Sequence, residues 1–270
     1  MATSKSPILE ADVPSHSEVL EWCSDPDRKI ISRDGQTPEV IRKGTFAIKH
    51  GRVSSKVADN QREALRLVDP ACLGVPYVFD FFEQDTGEGI NGYFVMQYVD
   101  GLECVDFLDQ TVIRAITDAL THLHSFKHDV LGPVSGDEWE GLRWDDAPAQ
   151  RLKSKADLEN FVNSRLIGRS KKFQILDCDL SFTHLDAAPR NIKITENGIV
   201  YLLDWASAGY FPRFFEVSAL HLNTGENGRD GRFGRTLAES LEARQNLNEA
   251  EARNVKCLME YVGNSIKYSL

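Results

Sequence analysis

Short β-branched and aromatic segments fill the first hundred residues, and longer stretches with helical spacing follow. Arg28 to Ser32, Glu39 to Arg42 and Thr45 to His50 are rich in Ile, Val, Phe and Thr and are separated by Asp34-Gly35 and by Gly44, which predicts three strands joined by turns. Val57 to Val68 carries its apolar residues at Ala58, Ala64, Leu65 and Val68 and ends at Asp69-Pro70, the pattern of a helix stopped by proline. Tyr77 to Phe82 and Tyr93 to Tyr98 flank Asp85-Thr-Gly-Glu-Gly and predict an antiparallel pair. The result is a small sheet with one helix inserted after its third strand.

Past Asp100-Gly101 the period changes. Val112, Ala115, Ile116, Ala119, Leu120 and Leu123 recur at helical spacing. Residues 129–147 carry Gly, Pro, Asp and Trp and predict an irregular excursion before a helix near Lys155 to Leu166. Ile192 to Thr195 and Val200 to Asp204 flank Asn197-Gly198 and predict a hairpin, and from Pro212 the chain is mainly helical, ending in the amphipathic stretch Glu249 to Tyr268. Ahead of all this, residues 1–15 read as a polar leader, and Ser15 or Ser17 caps a short helix that stops at Ser24-Asp-Pro26. The expected organisation is a leader and short helix over 1–26, a sheet lobe over 27–100 and a helical lobe over 101–270, in the α+β class.

Composition narrows the function classes. Lys and Arg total 31 against 41 for Asp and Glu, a net charge of −10, which argues against broad affinity for nucleic acid or anionic lipid. The charge is uneven: Val75 to Gln110 holds eight carboxylates and no Lys or Arg, whereas Gly141 to Gln174 holds eight Lys or Arg and four acids. The basic run Arg165, Arg169, Lys171 and Lys172 reads as a solvated helix end. Five cysteines at irregular spacing, with no C-x-x-C pair, suggest neither a disulfide framework nor a zinc site. With no secretory start and no apolar run of membrane length, the expectation is a cytoplasmic protein.

The candidate chemistry lies in Phe182-Thr-His-Leu-Asp-Ala-Ala-Pro-Arg-Asn191 and Leu202-Leu-Asp-Trp205. Phosphoryl transfer needs a carboxylate to orient the attacking hydroxyl and oxygen ligands to hold Mg²⁺ on the phosphates. Asp186, Asn191 and Asp204 supply those three groups, and a hairpin between Asn191 and Asp204 returns the second metal ligand beside the first.

His184-x-Asp186-x-x-x-x-Asn191 followed by Asp204 resembles the catalytic loop and metal-binding aspartate of the aminoglycoside phosphotransferase and choline kinase family. Ala47-Ile-Lys49 resembles the strand whose lysine holds ATP phosphates, and Phe94 to Gly101 resembles the hinge after which the second lobe begins. The resemblance covers residues 30–225. It implies a two-lobed protein-kinase-like fold with ATP and Mg²⁺ as cofactors. By the same resemblance Asp186 positions or deprotonates the acceptor, His184 braces the loop, Asn191 and Asp204 bind Mg²⁺, Lys49 contacts the α- and β-phosphates, and the Gln97 to Val99 backbone meets adenine.

Two departures from the family pattern stand out. No G-x-G-x-x-G precedes Lys49, and Gln61 occupies the place of the usual helix glutamate, leaving Glu63 as the candidate lysine partner. Two function classes therefore stay open: an ATP-dependent phosphotransferase acting on a hydroxyl of a small molecule, and a kinase fold repurposed for binding or for non-phosphoryl chemistry such as amino-acyl transfer. A protein kinase fits less well, since Asp204-Trp-Ala replaces D-F-G and no A-P-E follows. The acidic run from Asp100 to Asp109, with Asp137, Glu138 and Glu140, suits a cationic acceptor or an ordinary charged face. Arg190 and Arg213 could hold phosphate, Trp139 and Trp144 could wall a pocket or pin the excursion to the core, and His50, His122, His124 and His128 read as packing or surface residues.

Overall fold

The structure is a computed structural model that describes residues 13–32, 38–87, 89–102, 105–135, 139, 142, 152–167, 172–222 and 228–268. The expectations that fall on residues 1–12, Asp34-Gly35, Glu88, Glu103, Cys104, Asp137, Glu138, Glu140, Trp144, Arg169 and Lys171 lie outside the described residues. The chain divides into two compact units, one built from the residues up to Ala58 together with Pro76–Val99, the other from Asp59–Val75 together with Asp100 onward.

The first unit is a five-stranded antiparallel sheet made of β1 (Lys29–Ile30), β2 (Glu39–Lys43), β3 (Phe46–Gly51), β4 (Val78–Asp85) and β5 (Ile90–Gln97), in the order β1-β2-β3-β5-β4. Alternation sets its faces, so Ile41, Ile48, Tyr93 and Val95 share one buried cluster. Helix α1 (His16–Ser24) covers that cluster with Val19 and Cys23. Of the two serines that could cap it, Ser15 does so through a capping box: Glu18 donates its backbone N–H to Ser15 Oγ, and Glu18 Oε2 accepts the Ser15 N–H at 2.8 Å. Lys49 lies on the central strand β3, paired with Val40 on one side and Phe94 on the other, and its side chain is buried to 9% exposure.

Helix α2 (Ser55–Leu67) begins in the first unit and ends in the second. The second unit is mainly helical, with α3 (Gln110–Leu123), α4 (Lys155–Ser164), α5 (Phe214–Leu222), α6 (Arg229–Gln245) and α7 (Glu249–Tyr268). Asp109 caps α3 by accepting the backbone N–H groups of Thr111 and Val112, which gives one acid of the 100–109 run a structural duty. Helix α5 is buried on all sides from Phe214 to Leu220 and packs against α6 and α7, so it carries no amphipathic signature.

Two small sheets complete this unit. Strands β8 (Ile192–Ile194) and β9 (Val200–Leu202) form the expected hairpin, with Ile192 opposite Leu202. The other sheet, β10-β7-β6, joins Gly209–Phe211, Leu180–Thr183 and Lys127–His128, and the sequence pattern did not predict it. Described residues of the 129–147 segment meet its edge: Gly132 and Tyr210 exchange backbone hydrogen bonds of 3.0 and 2.8 Å, and buried Trp139 meets the Phe211 ring edge-on. Trp139 thus packs into the core. The approach requires a glycine at 209, where a Cβ would lie 2.5 Å from the Gly132 carbonyl oxygen.

Candidate active site

The hairpin register fixes the candidate site. Ile192 opposite Leu202 puts Asn191 across from Leu203, and Leu203 donates its N–H to the Asn191 carbonyl at 2.8 Å. Asp204 is therefore the residue that leaves this ladder, and it does so with φ of 61°. Leu185, one residue before Asp186, is also left-handed, with φ of 63°. Each such non-glycine residue costs on the order of 1–3 kcal/mol and persists only where its surroundings fix it.

Those surroundings are explicit. Buried His184 donates from Nε2 to the Leu203 carbonyl at 3.0 Å and accepts the Asp186 N–H on Nδ1 at 3.2 Å. Its ring meets Trp205 edge-on at 4.7 Å. His184 thus braces the Asp186 loop against Leu203, the residue between β9 and Asp204. On the next turn, the short 3₁₀ helix Pro189–Asn191 brings Arg190 and Asn191 back over Asp186. Arg190 Nη2 donates to both carboxylate oxygens of Asp186 at 2.5 and 2.7 Å, and Asn191 Nδ2 donates to Asp186 Oδ2 at 2.7 Å and to its carbonyl at 2.9 Å.

Glu216 completes the loop's support. From the wholly buried helix α5, its carboxylate accepts the backbone N–H of His184 at 2.7 Å and that of Leu185 at 3.0 Å. His124 Nε2 stands 3.5 Å away, and its Nδ1 faces the Gln245 amide at 2.6 Å. Burial pushes the Glu216 carboxyl up, yet His124, His184 and the Leu185 N–H together outweigh it and hold it below its ordinary value. Sequence reasoning missed both Glu216 and the role of His124. The available signal was a lone acid inside the apolar run Phe214-Phe-Glu-Val217.

The remaining sequence candidates divide between the units. Lys49, Gln97 and Val99 belong to the first, where the Gln97 N–H bonds the Tyr77 carbonyl at 2.8 Å. Glu63 belongs to the second, and its carboxylate is committed there: it accepts Arg66 Nε and Nη2 at 2.8 Å each and the Tyr210 hydroxyl at 2.5 Å. Arg66 holds the Glu63 carboxyl below its usual value, while burial and then Glu63 push the Tyr210 phenol up. Gln61 is wholly buried. Arg213 pairs with Glu251 at 2.8 Å, a packing role on α7.

The donor set suits Mg²⁺. Both N–H bonds of Asn191 go to Asp186, so the group it can offer a cation is its oxygen, and Asp204 adds a carboxylate on a conformationally fixed turn. Such a hard-oxygen pair, completed by phosphate and water, is what Mg²⁺ prefers. Among the described residues no cluster of three or more His, Cys, Asp or Glu forms a metal cage, Cys23, Cys72 and Cys178 are free thiols, and no helix is long and apolar enough to cross a membrane.

This geometry agrees with the family comparison: a family model for the phosphotransferase enzyme family matches residues 33–253, and the chain belongs to that family. Its α+β architecture is the kinase-like one of solved relatives. A thermostable mutant of aminoglycoside phosphotransferase APH(4)-Ia, in ternary complex with AMP-PNP and hygromycin B, superposes with a TM-score of 0.57 at 15% identity over 94% of this chain and 89% of that one. A microcompartment-associated aminopropanol kinase gives 0.53 at 11% identity, covering 88% and 90%. A choline/ethanolamine kinase family protein from Mesorhizobium loti gives 0.51 at 17% identity, covering 97% and 87%. No curated protein matches the sequence.

Proposed function

We propose that this protein transfers a phosphoryl group from ATP to a hydroxyl of a small, amine-bearing molecule in the cytoplasm. The observation that carries the reading is the Asp186–Asn191–Asp204 arrangement: a carboxylate held by Arg190 and Asn191, next to a strained turn that offers a second carboxylate. Lys49 holds the α- and β-phosphates and the Gln97 to Val99 backbone takes the adenine edge. Asn191 and Asp204 hold Mg²⁺, which neutralises phosphate charge when bound. Asp186 orients the acceptor hydroxyl and takes its proton, and His184 keeps the loop in register. An amine on the acceptor is supported by the acidic Val75 to Gln110 run and by the hygromycin B, aminopropanol and choline/ethanolamine named for the structural relatives.

Gln61 favours a second reading, a kinase fold turned to another reaction, because it stands buried where the family resemblance expects an acid. One screen separates the two. ATP consumption is followed against pools of amino alcohols, aminoglycosides and hydroxylated metabolites, with Asp186→Asn as the blank. A phosphorylated product that disappears in the blank supports phosphotransfer. No turnover with any pool, and no rise of melting temperature with Mg·ATP, supports the second reading.

A further inference from the structure

The Asp204 turn is held from its far side by a residue that the family motif does not contain. Asn60, on α2, has no exposed surface. Its Nδ2 donates to the carbonyl of Trp205 and to that of Ala208, both at 2.9 Å, and its Oδ1 accepts the Val134 N–H at 3.1 Å. Two carbonyls on one end and an N–H on the other leave the amide a single sensible orientation. Two neighbours reinforce the attachment. Asp59 accepts the Ser135 hydroxyl at 2.6 Å, and Glu63 accepts the Tyr210 hydroxyl, so three residues within one turn of α2 grip the segments 134–135 and 205–210.

The grip falls where strain needs it. Asp204 is left-handed, and upstream of it Leu203 is fixed by Asn191 and by His184. Downstream, Ala208 donates to the Trp205 carbonyl at 3.2 Å, and Asn60 joins both ends of that small turn. A buried amide saturated by backbone partners from a distant segment is a geometric clamp. Without Asn60 the buried Ala208 carbonyl would lose its 2.9 Å donor and the Trp205 carbonyl would keep only the longer bond from Ala208, so the bonds are costly to lose.

We propose that Asn60 is a positioning residue for the cation-binding turn: helix α2 holds Asp204 in its left-handed conformation through Asn60, with Tyr210–Glu63 as a second tie. The metal half of the proposal rests on the reading of Asp204 as a Mg²⁺ ligand; the clamp itself does not. Residues that orient metal ligands typically change metal affinity roughly 10- to 100-fold when removed.

The test has two arms. In the protein without nucleotide, amide hydrogen exchange over residues 203–211 is compared for wild type, Asn60→Ala, Asn60→Asp and Tyr210→Phe, with Asn163→Ala as a control that removes another amide bonded to backbone, at Phe173. Exchange in the segment is expected to rise about tenfold in the Asn60 variants, less in Tyr210→Phe, and not in Asn163→Ala. In the second arm the Mg²⁺ concentration that half-saturates ATP binding is expected to rise roughly tenfold or more in Asn60→Ala. A melting temperature lowered as in Asn163→Ala, with segment exchange and Mg²⁺ dependence unchanged, overturns the proposal. If the Asn60 variants do not fold, Tyr210→Phe decides: unchanged exchange over 203–211 overturns it. A wild type that binds no Mg·ATP removes phosphotransfer and the metal half together, and the exchange arm still decides the clamp.

Discussion

Glu216 and Leu185 form one contact that explains an otherwise costly backbone. Leu185 is left-handed, with φ of 63°, and its N–H points into the carboxylate of Glu216 at 3.0 Å, beside that of His184 at 2.7 Å. A buried ion that accepts two backbone donors fixes the turn that presents Asp186.

Replacing Glu216 by Gln should therefore lower stability by on the order of 3 kcal/mol in urea unfolding, because a charged acceptor of two buried donors is lost and His124 is left beside a neutral amide. The pH dependence has a defined sign. The Glu216 carboxyl is depressed below its ordinary value of 4.5, so the unfolded chain binds its proton first as pH falls. Its contribution is complete above about pH 4.5 and declines below that, through the folded value. Wild type should lose stability more steeply than Glu216→Gln below pH 4.5, whereas parallel acid limbs would contradict the depressed carboxyl.

Asp186 and Asp204 should separate chemistry from binding. Asp186→Asn keeps a polar group beside Arg190 and Asn191 and should retain ATP affinity while losing turnover by about 10²-fold or more, the scale of positioned acid–base assistance. Asp204→Ala should instead weaken Mg²⁺-dependent ATP binding, visible in titration calorimetry with and without the metal. Equal effects of the two changes on nucleotide affinity would undo the division of roles.

How much of this the sequence carried depends on the range of each interaction. The hairpin from Ile192 to Leu202 was legible because a tight turn and two apolar runs declare it locally. The sheet β10-β7-β6 was not, since its strands are only two to four residues long and the partners of Leu180–Thr183 lie far away in the chain. Asp186, Asn191 and Asp204 were legible through the spacing of their motif. Glu216, His124 and Asn60 act on that motif from α5, the C-cap of α3 and α2, and only folding brings them to it. Tertiary hydrogen bonds of this kind leave no periodic trace.

Glu63 supplies a sharper check on the resemblance. Its carboxylate is shared by Arg66 and Tyr210, and Arg66 is largely exposed. Glu63→Gln keeps an acceptor for the Tyr210 hydroxyl and loses only a surface ion pair, so stability should fall by less than about 1 kcal/mol. With its duty inside the helical unit, ATP affinity should stay within about twofold of wild type by fluorescence titration, whereas a tenfold loss, about 1.4 kcal/mol, would restore it as the lysine's partner.

Arg190 gives the last prediction, since it touches the residue assigned to the acceptor hydroxyl. Its guanidinium is 42% exposed, so the ion pair with Asp186 should contribute less than about 1 kcal/mol to stability. Its effect on turnover should be larger. Arg190 Nη2 bonds both oxygens of Asp186 and Asn191 Nδ2 bonds one, and removal of Arg190 takes away two of these three carboxylate contacts and loosens its orientation. Small displacements of a positioned group reduce rates by up to about 10²-fold, and Arg190→Ala should lower kcat by roughly tenfold with the melting temperature and ATP affinity almost unchanged. Arg190→Lys keeps the charge without the planar fork and should recover only part of the rate. Faster turnover in Arg190→Ala would give the opposite role, a restraint that the acceptor must displace from Asp186 before reaction, and steady-state kinetics with a fixed acceptor distinguishes the two.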